Sequence, residues 1–199
     1  VYVIVLTFDG KEHLAHCLPS LLSMNYPCYR VLVVDNGSKD GTLQFLQHQY
    51  PQVEVVALPE NRGWASGNNA GMEKGYGEGA SYFFVLNNDI RVEPSCLGRL
   101  VEVAEAKESV AMVGPVVYSY DGSQVQRAGA HMGSLGWFDQ SVALQSLAQG
   151  QPFDVDIVFG MAMLIKRSLV EAIGVFDPSF FIYRDDVDYC VRAKRAGFE

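Results

Sequence analysis

The chain has 199 residues, 49% of them hydrophobic and 19% charged, which suits a folded α/β core and argues against disorder. A formal charge of −8 lacks the basic face that nucleic acid demands, and no apolar run approaches the ~20 residues of a membrane span. Cys17, Cys28, Cys96 and Cys190 form no Cys-x-x-Cys pair, so buried free thiols are expected, not a zinc site or disulfide framework. The sequence opens directly on its first expected strand at Val1, with no signal-peptide pattern within it. The cytoplasm is therefore the expected location, with any peripheral attachment to the inner face of the membrane left to segments outside this chain.

Val1 to Leu6 is a continuous β-favouring run and predicts a buried first strand. In the loop Thr7-Phe8-Asp9-Gly10, Asp9 with Glu12 resembles a capping box, Asp replacing Ser or Thr. Leu14, Cys17, Leu18, Leu21 and Leu22 recur at helical spacing, and Asn25-Tyr26-Pro27 ends that helix. Tyr29 to Val34 predicts a second strand, ending in Asp35-Asn36-Gly37-Ser38. A helix opens at Asp40-Gly41-Thr42 with Leu43 and Leu46 inward, and Val53 to Leu58 predicts a third strand.

Gly63, Gly67, Gly71, Gly75 and Gly79 then recur every four residues. Each costs roughly 1 kcal/mol relative to Ala in a helix interior, so something must approach the backbone closely. Helix-on-sheet packing is the favoured cause for Gly71 and Gly75. For Gly63 and Gly67, near the helix N-terminus with Asn61, Asn68 and Asn69, a ligand is favoured, because free N–H groups attract anions.

Tyr82-Phe83-Phe84-Val85-Leu86 is apolar and aromatic and stops at Asn87-Asn88-Asp89. The run predicts a central strand buried on both faces. Its polar end lies where open α/β sheets bind ligands. Asp89 offers the hard oxygens that Mg²⁺ or Mn²⁺ prefers, although all three residues also favour plain turns. Pro94 to Lys107 predicts a helix and Val110 to Tyr118 a strand. Residues 119–152 predict long loops or a hairpin, in which Trp137 and Phe138 either stack on a sugar ring or cover a core edge. Phe153 to Ile165 predicts two short strands around Gly160, and Ser168 a cap for a short helix closing near Gly174. Asp185, Asp186 and Asp188 open a last helix to Phe198, where the helix dipole favours acids. The chain stops soon after it, as expected of a domain cut from a longer protein.

Alternating strands and helices over residues 1–118 imply right-handed crossovers and a mostly parallel sheet flanked by helices. No P-loop, no Gly-x-Gly-x-x-Gly after the first strand and no Gly-x-Ser-x-Gly elbow is present. An acidic rim accepts a phosphorylated ligand only if a cation bridges the two. A cation near Asp89 would stabilise a departing diphosphate, and a second carboxylate could deprotonate an attacking hydroxyl.

The ordered set Val34-Asp35-Asn36-Gly37-Ser38, Glu60-Asn61-Arg62-Gly63 with Gly67-Asn68, Leu86-Asn87-Asn88-Asp89 and Asp185-Asp186-Val187-Asp188 resembles family 2 glycosyltransferases. The flanks Gly160-Met161-Ala162-Met163 and Phe180-Phe181-Ile182-Tyr183 are most similar to the rhamnosyltransferase-like branch. The resemblance implies a single α/β domain of the GT-A fold over residues 1–199. Residues 1–118 would form a nucleotide-binding half and 119–199 an acceptor-side half. It implies an inverting transferase moving sugar from a nucleotide diphosphate sugar to a saccharide or lipid-linked acceptor, in bacterial surface-polysaccharide or glycolipid synthesis. In that pattern Asp35 recognises the base or ribose, with Thr7 and Asp9 nearby. Asn61, Gly63, Asn68, Asn87 and Asn88 shape the donor pocket, and Asp89 binds Mg²⁺ or Mn²⁺. Asp186 is the catalytic base, accompanied by Asp185 and Asp188. Asn87 departs from the pattern by replacing the first acid of Asp-x-Asp, Asp185 by replacing Glu, and Asp9 by replacing Asn. None of His13, His16, His48 or His131 matches the family's metal-side His. A nucleotidyltransferase and a non-catalytic sugar-nucleotide-binding domain are the competing expectations.

Overall fold

The computed structural model describes residues 1–133, 138–140, 144–145, 147 and 150–199. Among these, the strands are β1 Tyr2–Thr7, β2 Arg30–Asp35, β3 Glu54–Ala57, β4 Tyr82–Asn87, β5 Met112–Val113, β6 Val117–Tyr118, β7 Val125–Arg127, β8 His131–Met132, β9 Phe138–Asp139 and β10 Ala162–Lys166. The helices are α1 Lys11–Leu22, α2 Thr42–Gln49, α3 Gly63–Gly77, α4 Cys96–Glu105, α5 Arg167–Ile173 and α6 Asp185–Arg195.

The main sheet has the order β3-β2-β1-β4-β10-β5. The first four are parallel, while β10 runs antiparallel to both β4 and β5. Strand alternation divides the core in two. Tyr2 and Ile4 of β1 with Phe83 and Val85 of β4 face α3, α5 and α6. Val3 and Val5 with Phe84 and Leu86 face α1, α2 and α4. Burial on both faces is why these strands read as unbroken apolar runs. The chain winds outward from β1 to β3, then returns to β4 on the other side of β1. That reversal opens a crevice between β1 and β4 at their C-terminal ends.

Helix α3 lies unusually close to the sheet. A Cβ at Gly71 would fall 2.5 Å from Ile4 and 3.0 Å from Val34, and one at Gly75 2.9 Å from Tyr2. Gly67, for which a ligand was the favoured cause, instead abuts Leu6 at 2.5 Å and Asn36 at 3.2 Å.

Other expectations need correction. The Asp9 capping box does not form. Asp9 (φ 47°) accepts the amide of Lys39, and the Lys11 amide that opens α1 bonds to Asp40 at 3.1 Å. The strand expected over 110–118 divides into β5 and β6, in separate sheets, because Gly114-Pro115 interrupts the ladder. Of two strands expected around Gly160 only β10 forms, and Ile157 makes a single bridge to Ala130. Ser168 lies inside α5 and does not cap it. The four thiols are free, yet Cys28 is exposed. Phe138 packs on the core edge beneath the Arg184 guanidinium, whereas Trp137 lies outside the described residues.

Candidate active site

The sheet register brings the predicted strand ends together. Thr7 is paired with Asp35, and Leu6 with Asn87. A hollow of about 250 Å³ opens at this edge, with Thr7, Asn36, Asn61, Gly63, Asn87 and Asn88 in its wall. Trp64, Phe181 and Ile182 complete its far side. Asp35 and Asp89 each adjoin a lining residue in sequence. Asp186 Oδ2 accepts the Gly160 N–H at 2.9 Å, and a Cβ on Gly160 would fall 2.9 Å from the Trp64 ring. A larger depression, about 490 Å³, lies at the opposite strand ends, where Arg30 and Glu54 pair with one another at 3.5 Å.

Many of the wall's polar groups already hold the chain together. Asn36 donates to Asn61 Oδ1 at 2.9 Å and to the Gly63 carbonyl at 3.1 Å, and accepts the Arg62 amide at 2.9 Å. Asn61 Oδ1 also receives the Gly63 amide at 2.9 Å, which shapes the turn into α3. Gly63 has φ +81°, and a Cβ there would collide with the Phe181 carbonyl at 2.3 Å. The Trp64 amide donates to that same carbonyl at 2.6 Å. The α3 N-terminus, expected to attract an anion, is therefore partly met by the protein's own backbone.

Other groups remain open. Asn88 Nδ2 donates to Thr7 Oγ1 at 2.8 Å, which leaves the Thr7 hydroxyl proton and the Asn88 carbonyl oxygen for other partners. Asp35 is buried. One of its oxygens accepts the Ser38 amide at 3.2 Å and the other has no protein partner. Asn68 is also buried. It donates to the Trp64 carbonyl and keeps an unpartnered Oδ1.

The last acids separate in role. Asp185 Oδ1 accepts the Asp186 amide at 3.0 Å, while its Oδ2 is buried and unpartnered. Burial, aided by the neighbouring Asp186 charge, pushes the Asp185 pKa above the usual carboxylate value. Both Asp186 oxygens accept N–H groups, from Gly160 and from Val187 at 2.8 Å. Asp188 pairs with Arg192 at 2.7 Å, and Arg192 in turn bonds the Ile173 and Val175 carbonyls, so Asp188 anchors α6.

Asp89 is exposed, and among the described residues no three His, Cys, Asp or Glu side chains gather closely enough to hold a metal alone. Mg²⁺ ordinarily takes one or two carboxylates and completes its shell with substrate phosphate and water. Asp89, next to Asn88 in sequence and exposed, supplies one carboxylate of the type that chemistry needs. Trp64, Asn36, Phe181 and Gly160 were not among the expected site residues. The only sequence signal for Trp64 was an aromatic directly after Gly63.

Residues 2–174 match the family described as Glycosyl transferase family 2, and the chain belongs to that family. Its sheet and flanking helices form the GT-A fold. It is 27% identical to the N-acetylglucosaminyl-diphospho-decaprenol L-rhamnosyltransferase of Mycobacterium tuberculosis, over 98% of this chain and 71% of that one. It is 26% identical to the low-salt glycan biosynthesis hexosyltransferase Agl10 of Haloferax volcanii, over 97% of this chain and 61% of that one. Among solved structures, the mannosyltransferase PcManGT from Pyrobaculum calidifontis, in complex with GDP-Man and Mn²⁺, superposes with a TM-score of 0.72 at 20% identity, covering 100% of this chain and 52% of that one. The chain thus spans about half of PcManGT. Among the described residues no helix is long and apolar enough to cross a membrane.

Proposed function

We propose that this chain is the catalytic domain of an inverting glycosyltransferase. It moves a hexose or deoxyhexose from a nucleotide diphosphate sugar to a hydroxyl of a saccharide or lipid-linked acceptor, in surface glycan synthesis. Residues 1–118 take the nucleotide and 119–199 the acceptor side. The observation that carries this reading is the hollow at the β1/β4 reversal, walled by amides and a hydroxyl, with Asp186 one glycine from its edge. Unpartnered buried oxygens on Asp35, Asn68 and Asp185 add support, because buried acceptors nearly always find a partner. The relatives' names favour a rhamnosyl-type donor and a lipid-linked acceptor.

Asp35 Oδ2 accepts a hydrogen bond from the base or ribose. Thr7, Asn87 and Asn88 orient the rest of the donor. Asp89 with Asn88 would hold Mg²⁺ or Mn²⁺, which when bound offsets charge building on the leaving diphosphate. Asp186 takes the proton of the acceptor hydroxyl as its oxygen attacks the anomeric carbon. The new C–O bond forms opposite the departing diphosphate, so configuration inverts. The Gly160 and Val187 amides fix the carboxylate for this task.

A thermal-shift panel of UDP, dTDP, GDP and CDP sugars with Mn²⁺ tests the donor, since a ligand of the folded state raises Tm by mass action. Asp186→Asn should keep that shift and lose transfer. Full transfer by Asp186→Asn rejects the assigned base, and no response to any nucleotide rejects the donor class.

A further inference from the structure

The indole Nε1 of Trp64 lies 3.0 Å from Oδ1 of Asn87, and both residues wall the hollow. An indole N–H donates and cannot accept, so it dictates which end of the amide faces it. The Asn87 oxygen is thereby engaged, and its NH₂ group has no acceptor among the described residues. Asn88 is oriented the opposite way, with its NH₂ on Thr7 and its oxygen open. Two adjacent amides thus offer a donor and then an acceptor. Trp64 is itself held on three sides. Its amide bonds Phe181, its ring meets Phe176 edge-on at 4.9 Å, and its six-membered edge abuts Gly160.

Resting on the glycosyltransferase reading above, we infer that Asn87 donates a hydrogen bond to an oxygen of the bound nucleotide sugar and is not a ligand of the cation, and that Trp64 is the positioning residue that makes it so. The indole takes one of the two lone pairs of the Asn87 oxygen, so a cation there would have to share that oxygen with an N–H donor, and the NH₂ end repels a cation. Position 87, where the family pattern has an acid, has therefore changed from an acceptor to a donor.

The decisive variant is Asn87→Asp, which keeps the shape and replaces the donor with an acceptor. Calorimetry with the nucleoside diphosphate and its sugar form should show affinity about tenfold weaker. The Mn²⁺ concentration for half-maximal binding at saturating nucleotide, followed by paramagnetic relaxation, should not change. Trp64→Phe keeps the ring contacts and removes the N–H. It should lower nucleotide affinity several-fold, again with no change in the Mn²⁺ requirement. The chain has two tryptophans, so the Trp64 indole N–H resonance is one of two and should move when nucleotide binds. Loss seen with the diphosphate alone assigns the acceptor to phosphate or ribose, and loss seen only with the sugar form assigns it to the sugar. Tighter Mn²⁺ or nucleotide binding by Asn87→Asp overturns the inference alone, as does a Trp64→Phe protein indistinguishable from the parent. A parent protein that binds no nucleotide overturns the glycosyltransferase reading with it.

Discussion

Asp185 shows how little room a single carboxylate has at this site. One oxygen holds the amide of Asp186 and the other is buried without a partner. Because burial raises its folded pKa above the unfolded value, the folded chain binds more protons between the two, and stability falls as pH rises through that window. Asp185→Asn cannot ionise. Its melting temperature relative to the parent should rise as pH goes from below the ordinary carboxylate range up to 7. Calorimetric scans from pH 4 to 8 check the sign. The positions of Asp185, Asp186 and Asp89, at a helix start and after a strand, were legible because acids beside aromatic residues or at a strand end stand out. Trp64 was not, since its meaning comes from Asn87, a residue 23 positions away. The ion pair of Asp188 with Arg192, four residues on, follows directly from helical spacing.

At the level of elements, α3 was the segment whose glycines announced a close approach, and what they approach is mostly β1. A methyl at Gly71 would press on Ile4 and Val34 in a closed core, so Gly71→Ala should destabilise by about 1–3 kcal/mol. Gly77, in the same helix, faces open space, and Gly77→Ala should be neutral or gain about 0.4–1 kcal/mol. Urea unfolding of the pair separates packing from propensity. If both lose stability equally, the sheet contact is not the cause. Strands buried on both faces were legible because their interiors are unbroken apolar runs. The interrupted run at Gly114 and the missing strand before Gly160 were not, because pairing partners decide whether a short apolar run becomes a strand. Helix starts went astray at Asp9 and Ser168 for a similar reason. The donor that opens α1 is met by Asp40, from another loop.

Across the molecule, the segment after residue 118 is tied into the first half. It supplies β10 to the main sheet, and Asn69 on α3 clamps Phe176 through both its amide, at 3.1 Å, and its carbonyl, at 2.8 Å. Asn69→Ala leaves both Phe176 groups buried and unpaired, at about 1–3 kcal/mol each. It should lower the midpoint of one shared transition, with far- and near-ultraviolet circular dichroism coinciding. Two separated transitions would show that the halves unfold independently. The glycine-lined contact of α3 has a reach beyond its own packing. Trp64 stands on the first turn of that helix, so its height above the strands is set by methyl groups absent further along, at Gly67, Gly71 and Gly75. The helix behaves as a rigid beam on a thin bearing: a bulge under its far end would tilt it and lift the indole off Asn87.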